Sequence, residues 1–144
     1  MDSRRVLLVD DEAGIRLALR KWFERNGWSV DEAGDGDSAV SFLAAQHAGY
    51  GLVICDVHLP DTNGVAIATR VEADWPELLT RFVFSTGDHV EFTPAQKTLR
   101  ERTHILLKPF DFADLRTLVQ MVTNTPASSG GAALHAPVSA PPAA

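Results

Sequence analysis

Short apolar runs alternate along the chain with longer stretches whose apolar residues recur at helical spacing. Residues 6–9, 52–55, 82–84 and 105–107 are almost wholly apolar, the pattern of parallel strands buried on both faces. A further short strand is predicted over 28–30, after Asn26-Gly27 closes a helix spanning 12–26 with Ile15, Leu19, Trp22 and Phe23 on one face. Asp35-Gly36-Asp37 turns the chain into a second helix, which carries Ala39, Val40, Leu43 and Ala44 to about Gln46. A third helix is predicted over 65–73, and Pro76 interrupts before the strand at 81–85. Thr93-Pro94 suits the start of a fourth helix reaching Arg102, and Asp111 caps a last one with Leu115, Leu118, Val119 and Val122 on its inner face. Five strands alternating with five helices build a parallel sheet covered on both faces, a three-layer α/β sandwich.

Composition narrows this picture. The 144 residues suit a single domain, and a net charge of −6 with both signs interspersed suggests neither a nucleic-acid surface nor a membrane-binding basic helix. Cys55 is the only cysteine, so no internal disulfide forms. The N-terminal residues show neither a signal-peptide pattern nor a membrane span, and a cytoplasmic protein is expected. From 123 to 144 the chain turns to Ala, Pro, Ser and Gly and lacks Asp, Glu, Lys and Arg, so a globular domain over 1–122 and a disordered tail or linker are expected.

The chemistry sits where the apolar runs stop. They end in Asp10-Asp11, Asp56, Ser85-Thr86 and Lys108-Pro109, and in an open α/β sheet the crevice beyond the carboxyl ends of the strands is the ligand site. Carboxylates gathered there repel one another unless a cation intervenes. Mg²⁺, which takes hard oxygen ligands and completes its octahedron with water and phosphate, fits that set. Lys108 would balance phosphoryl charge, Thr86 would donate a hydrogen bond to it, and a carboxylate could itself act as nucleophile.

The strings Leu7-Leu8-Val9-Asp10-Asp11-Glu12, Asp56-Val57-His58-Leu59-Pro60 with Gly64, Ser85-Thr86-Gly87 and Leu107-Lys108-Pro109-Phe110 resemble the receiver domain of bacterial two-component response regulators. The resemblance covers about residues 4–122 and implies a flavodoxin-like fold with strand order 2-1-3-4-5. It makes Asp56 the phosphoacceptor, and Asp11 a direct Mg²⁺ ligand with Asp10 acting largely through metal-bound water. The backbone carbonyl of His58 becomes the remaining protein ligand, Thr86 and Lys108 phosphoryl-binding residues, and Pro109 the site of a cis bond. The implied donor is a phosphohistidine on a histidine kinase or histidine phosphotransfer protein. Such a receiver catalyses its own phosphorylation and dephosphorylation without being a conventional turnover enzyme. The changed surface then selects an unspecified downstream protein partner. The stretch from Thr86-Gly87-Asp88 through Lys108-Pro109-Phe110-Asp111 is also similar to receivers that accompany hybrid sensor kinases.

Two features depart from the family pattern. Ile105 stands where many receivers carry Tyr or Phe, so the customary aromatic relay is lost; Leu59 replaces a common Met at little cost in volume. His58 and Asp88 flank the expected path of a hydrolytic water and are read either as tuning phosphoryl lifetime or as solvated loop residues. An aspartyl phosphatase would need a second acid at position 58, and a DNA-binding regulator would need an output domain. The remaining alternative is a pseudo-receiver that binds partners without phosphorylation. Cys55 and the aromatics Trp22, Phe23 and Phe42 are expected in the core, and His47, His89, His104 and His135 are read as structural or solvated. Trp75 and Phe92 are read as loop residues available for contact.

Overall fold

The computed structural model describes residues 4–124. The strands are β1 (Arg5–Val9), β2 (Ser29–Ala33), β3 (Leu52–Asp56), β4 (Phe82–Thr86) and β5 (His104–Leu107). They form one parallel sheet in the order β2-β1-β3-β4-β5. The helices are α1 (Ala13–Arg25), α2 (Gly36–Gln46), α3 (Gly64–Asp74), α4 (Lys97–Arg102) and α5 (Phe112–Asn124), with short 3₁₀ turns at His47–Gly49, Pro76–Arg81 and Pro94–Gln96.

Side chains alternate across each strand, so the sheet divides the core in two. Leu7, Val9, Val53, Cys55 and Phe84 face one way and pack with Ala39 and Leu43 of α2, Ile67 and Val71 of α3 and Leu99 of α4. Val6, Leu8, Leu52, Ile54, Val83 and Leu106 face the other way, against Leu19, Trp22 and Phe23 of α1 and Leu115, Leu118 and Val122 of α5. Every residue of β3 and β4 is buried, as expected for central parallel strands. Fully removing each Leu from water contributes about 2 kcal/mol. The doubly covered sheet is therefore the main source of stability.

Local signals set the boundaries. Gly27 ends α1 with φ +86°, a left-handed conformation that glycine adopts without a Cβ clash. Asp35 accepts from the Ser38 N–H at 2.8 Å to start α2, Asn63 accepts from Ala66 N–H at 2.9 Å to start α3, and Asp111 accepts from Asp114 N–H at 2.8 Å to start α5. The fourth helix opens as a 3₁₀ turn, with Thr93 and Gln96 capping each other's backbone, and becomes α-helical only from Lys97.

Some expectations change. β2 is longer than 28–30 because its charged residues find partners at the sheet edge: Asp31 pairs with Arg5 at 3.2 Å and Glu32 with Arg16 at 2.9 Å. Trp75 is not an available contact residue; it is 9% exposed, and its ring stacks on His47 at 5.3 Å with Arg70 over it at 5.6 Å. Phe92 is half-buried, edge-on to Phe84 at 5.8 Å. Ala44 is exposed, since the buried stripe of α2 is Gly36, Ala39 and Leu43. α5 extends to Asn124; the tail expected beyond it, with His135, lies outside the described residues.

Tyr50 anchors the end of the sheet opposite the site. It is fully buried, donates to Asp31 Oδ2 at 2.7 Å and accepts from Gln46 Nε2 at 3.1 Å. Burial first, then the hydrogen bond to Asp31 and its charge, push the phenol well above its ordinary value. A raised acid stabilises the fold fully below its unfolded pKa, and that contribution is lost as pH climbs toward the folded-state value. Stability is therefore expected to fall above about pH 10, at up to about 1.4 kcal/mol per pH unit for this proton. The Cys55 thiol, pushed up by burial and then by Asp56 and Asp10, starts a similar loss from about pH 8.5. Urea unfolding across the alkaline range should show the part above pH 10 flattened in Tyr50→Phe. An identical slope in wild type and variant would refute the assignment.

Candidate phosphoryl and metal site

Because the strands are parallel and in register, their last residues meet on one edge of the sheet. Asp56 ends β3, Thr86 ends β4, Asp10 follows β1, and Lys108 follows β5. Asp56 lies directly opposite Ser85 in the ladder, and Thr86 opposite Leu107. Backbone bonds continue the registration past the strands: Asp10 N–H donates to Ala33 O at 3.1 Å, Val57 N–H to Ser85 O at 3.2 Å and Lys108 N–H to Thr86 O at 2.7 Å. The Lys108–Pro109 bond is cis.

The side chains converge accordingly. Carboxylate oxygens of Asp10, Asp11 and Asp56 lie within 4.8 Å of one another, with Asp10 and Asp56 buried and Asp11 exposed. Lys108 Nζ reaches Asp10 Oδ2 at 3.1 Å and Asp56 Oδ2 at 3.2 Å. Burial lowers the pKa of this ammonium, but the charges and hydrogen bonds of Asp10 and Asp56 outweigh that and hold it above its usual value. Lys108 is therefore a cation at neutral pH. The second oxygen of each buried carboxylate is held by backbone: Asp10 Oδ1 accepts from Glu12 N–H at 2.9 Å, and Asp56 Oδ1 from His58 N–H at 3.0 Å.

The loop after Asp56 folds back tightly. His58 bridges Asn63, Leu59 N–H donates to Thr62 O at 3.2 Å, and Gly64 N–H donates to Val57 O at 2.8 Å. A Cβ at position 64 would lie 2.7 Å from the Asp56 carbonyl oxygen, so only glycine permits this approach. The hairpin keeps the backbone of His58 beside the acidic cluster, while its side chain is exposed. Thr86 is buried at 2% exposure, and its Oγ1 accepts from Asp88 N–H at 3.2 Å. That leaves the hydroxyl proton able to point elsewhere. Asp88 is exposed, and the His89 N–H at 2.8 Å, then the His89 ring Nδ1 at 3.0 Å, hold its carboxyl below the usual range. Ile105, opposite Phe84 in the ladder, is half-buried against the α2–α4 side of the core.

The structure thus brings together Asp10, Asp11, Asp56 and Lys108, and sets Thr86 and the His58 backbone at the same strand ends. The residue that sequence pattern did not reveal is Arg16, whose guanidinium donates to the Asp10 carbonyl oxygen. Its spacing from Asp11 on the first helix is the only available signal, and an arginine there reads equally as a solvated surface residue.

A cluster of carboxylates, hydroxyl and ammonium at the carboxyl edge of a parallel sheet is suited to holding a divalent cation and an anionic group. The family model described as response regulator receiver domain matches residues 6–120, and the chain belongs to that family, the receiver domains of two-component signalling. Among relatives, the transcriptional regulatory protein ResD of Bacillus subtilis is 37% identical over 109 residues, spanning 76% of this chain and 43% of that protein. Sporulation initiation phosphotransferase F of the same organism is 27% identical over 120 residues, spanning 83% of this chain and 94% of that protein. In structure, the response regulator protein TrrA from Thermotoga maritima, solved in complex with Mg²⁺-BeF, superposes with a TM-score of 0.67 at 23% identity, covering 83% of this chain and 98% of that one. Its likeness establishes the fold.

Proposed function

We propose that the chain is a phosphorylation-dependent receiver that takes a phosphoryl group onto Asp56. The observation that carries this reading is the gathering of Asp10, Asp11 and Asp56 within 4.8 Å, with Lys108 on two of them. Three hard oxygen donors on one open edge suit Mg²⁺, which usually keeps several waters and shares phosphate oxygens. Asp11 and Asp56 would ligate it directly with the His58 carbonyl, and Asp10 largely through water. When bound, the ion supplies charge neutralisation for the phosphoryl oxygens.

Asp56 then acts as nucleophile. One carboxylate oxygen forms a bond to phosphorus as the bond from phosphorus to the donor's imidazole nitrogen breaks, and the imidazole leaves with the electron pair. Lys108 shifts from bridging carboxylates to neutralising a phosphoryl oxygen, and Thr86 donates its hydroxyl proton to another while still accepting from Asp88 N–H. The donor class is a phosphohistidine of a histidine kinase or histidine phosphotransfer protein, and the exchange belongs to the cytoplasm. His58 and Asp88, exposed two residues past Asp56 and Thr86, would tune how long the phosphoryl group lasts. Output passes to a downstream protein through the surface around Thr86, without an aromatic at position 105.

Incubation with acetyl phosphate and Mg²⁺ should add one acid-labile phosphoryl group by intact mass, and EDTA should prevent it. No adduct under conditions where Mg²⁺ demonstrably binds would replace this reading with that of a phosphorylation-independent interaction module.

A further inference from the structure

Among the described residues, Arg16 is the basic side chain that reaches the acidic cluster from α1. It lies one helical turn past Glu12, and its side chain is 19% exposed. One guanidinium nitrogen, Nη1, donates to the backbone carbonyl of Asp10. Nε donates to Glu32 Oε1 at 2.9 Å, and Arg20 holds the other oxygen, Oε2, at 2.6 Å. Arg20 is itself braced by Glu24 at 3.0 Å. The guanidinium packs beside Gly34 where β2 ends, 3.4 Å from where a Cβ would stand, an ordinary van der Waals contact.

The consequence for Asp10 is that its backbone is fixed on both sides. Its N–H is tied to Ala33 O and its C=O to Arg16, while its carboxylate is tied to Glu12 N–H and Lys108. The carbonyl that Arg16 binds belongs to the peptide unit joining Asp10 to Asp11. A turn about the Asp10 Cα–C bond that took this carbonyl off Arg16 would carry Asp11, with its Cα–Cβ bond, away from the other two carboxylates. Asp11 is exposed, so packing does not direct its side chain, and the backbone alone sets where its Cβ starts.

We propose that Arg16, braced by Glu32, is a positioning residue for cation binding: it locks the Asp10–Asp11 peptide so that the Asp11 carboxylate points at the ion shared with Asp10 and Asp56. The proposal rests on the reading of that cluster as a Mg²⁺ site. It opposes the simpler view of Arg16 as a nearby positive charge, and the two predict opposite signs. A through-space charge repels the divalent ion, so removing it tightens binding. A lost peptide clamp weakens binding. Lysine keeps the charge but lacks the planar fork that spans a carbonyl and a carboxylate at once.

The test is calorimetric titration of Mg²⁺ into the full chain for wild type, Arg16→Met and Arg16→Lys, with urea unfolding in EDTA to confirm that each variant is folded. Both variants are expected to bind Mg²⁺ about tenfold more weakly, the scale of a hydrogen bond from a charged donor. The Asp11 amide resonance should also shift in metal-free spectra of both. Tighter binding by Arg16→Met with wild-type binding by Arg16→Lys would overturn the positioning role and leave the metal site standing. No Mg²⁺ binding by the wild type would overturn the metal reading and this proposal with it. Should Arg16→Met fail to fold, Arg16→Lys decides alone, since unchanged affinity and an unmoved Asp11 amide would refute the clamp.

Discussion

Asp56→Asn will lose the phosphoryl adduct entirely and, in the absence of Mg²⁺, will be more stable than the wild type. Loss of the adduct follows from chemistry: a carboxamide is no nucleophile toward phosphorus, and the other carboxylates are less well placed beside Thr86. The gain in stability follows from electrostatics. Asp56 faces two carboxylates within 4.8 Å and one ammonium at 3.2 Å. At an effective dielectric of about 20, each repulsion is worth about 3–4 kcal/mol and the attraction about 5 kcal/mol. Repulsion wins. Water around Asp11 screens part of it, so about 1 kcal/mol of net relief is expected. The carboxamide oxygen of the variant can still accept from His58 N–H, which keeps the loop in place. Intact mass after acetyl phosphate treatment reads the first effect, and urea unfolding in EDTA reads the second. Mg²⁺ affinity should drop about tenfold, as a lost charged ligand implies. A phosphoryl adduct surviving on Asp56→Asn would move the acceptor elsewhere.

How much of this was legible in the sequence varies with the range of the interaction. Four of the five strands could be read as continuous apolar runs because burial on both faces leaves no room for polar residues. β2 is the exception, since Asp31 and Glu32 interrupt it; their partners Arg5, Arg16 and Arg20 come from other elements, and no local pattern announces them. The residues of the site were legible because each stands at the end of an apolar run, where a parallel sheet must bring them together. Their strand order came from family resemblance, and the ladder agrees with it. Trp75 does lie between elements, after a helix and before Pro76, but its stacking on His47 and burial against the core, which withdraw it from contact, are interactions over distances that spacing cannot encode. Arg16 was missed for the same reason: its partner is a backbone carbonyl, which leaves no trace in residue type.

Lys108→Met should give the opposite signature from Asp56→Asn. In the metal-free protein Lys108 is the only cation bonded to the carboxylates of Asp10 and Asp56 among the described residues, and those carboxylates are 5% and 9% exposed against 20% for the lysine. Removing one partner of a buried pair leaves charge uncompensated, a loss of about 3–5 kcal/mol when burial is complete and about 2 kcal/mol at this degree of exposure. The raised pKa of the ammonium means that the pair contributes fully below about pH 10.4 and is lost only as pH rises through the higher folded-state value, so the wild type keeps it throughout the neutral range. Mg²⁺ will reverse the defect. The ammonium occupies Asp10 Oδ2 and Asp56 Oδ2, oxygens that a bound ion draws on, so its removal should tighten Mg²⁺ binding about tenfold and make the thermal midpoint far more dependent on Mg²⁺. Phosphorylation moves the other way, because the variant has nothing to neutralise the phosphoryl oxygen nearest β5, and the adduct should form about a hundredfold more slowly at saturating Mg²⁺. Calorimetry, thermal melts across a Mg²⁺ series and timed intact mass measure the three effects separately. Weaker Mg²⁺ binding in Lys108→Met would show that the lysine orders the carboxylates for the ion rather than competing with it.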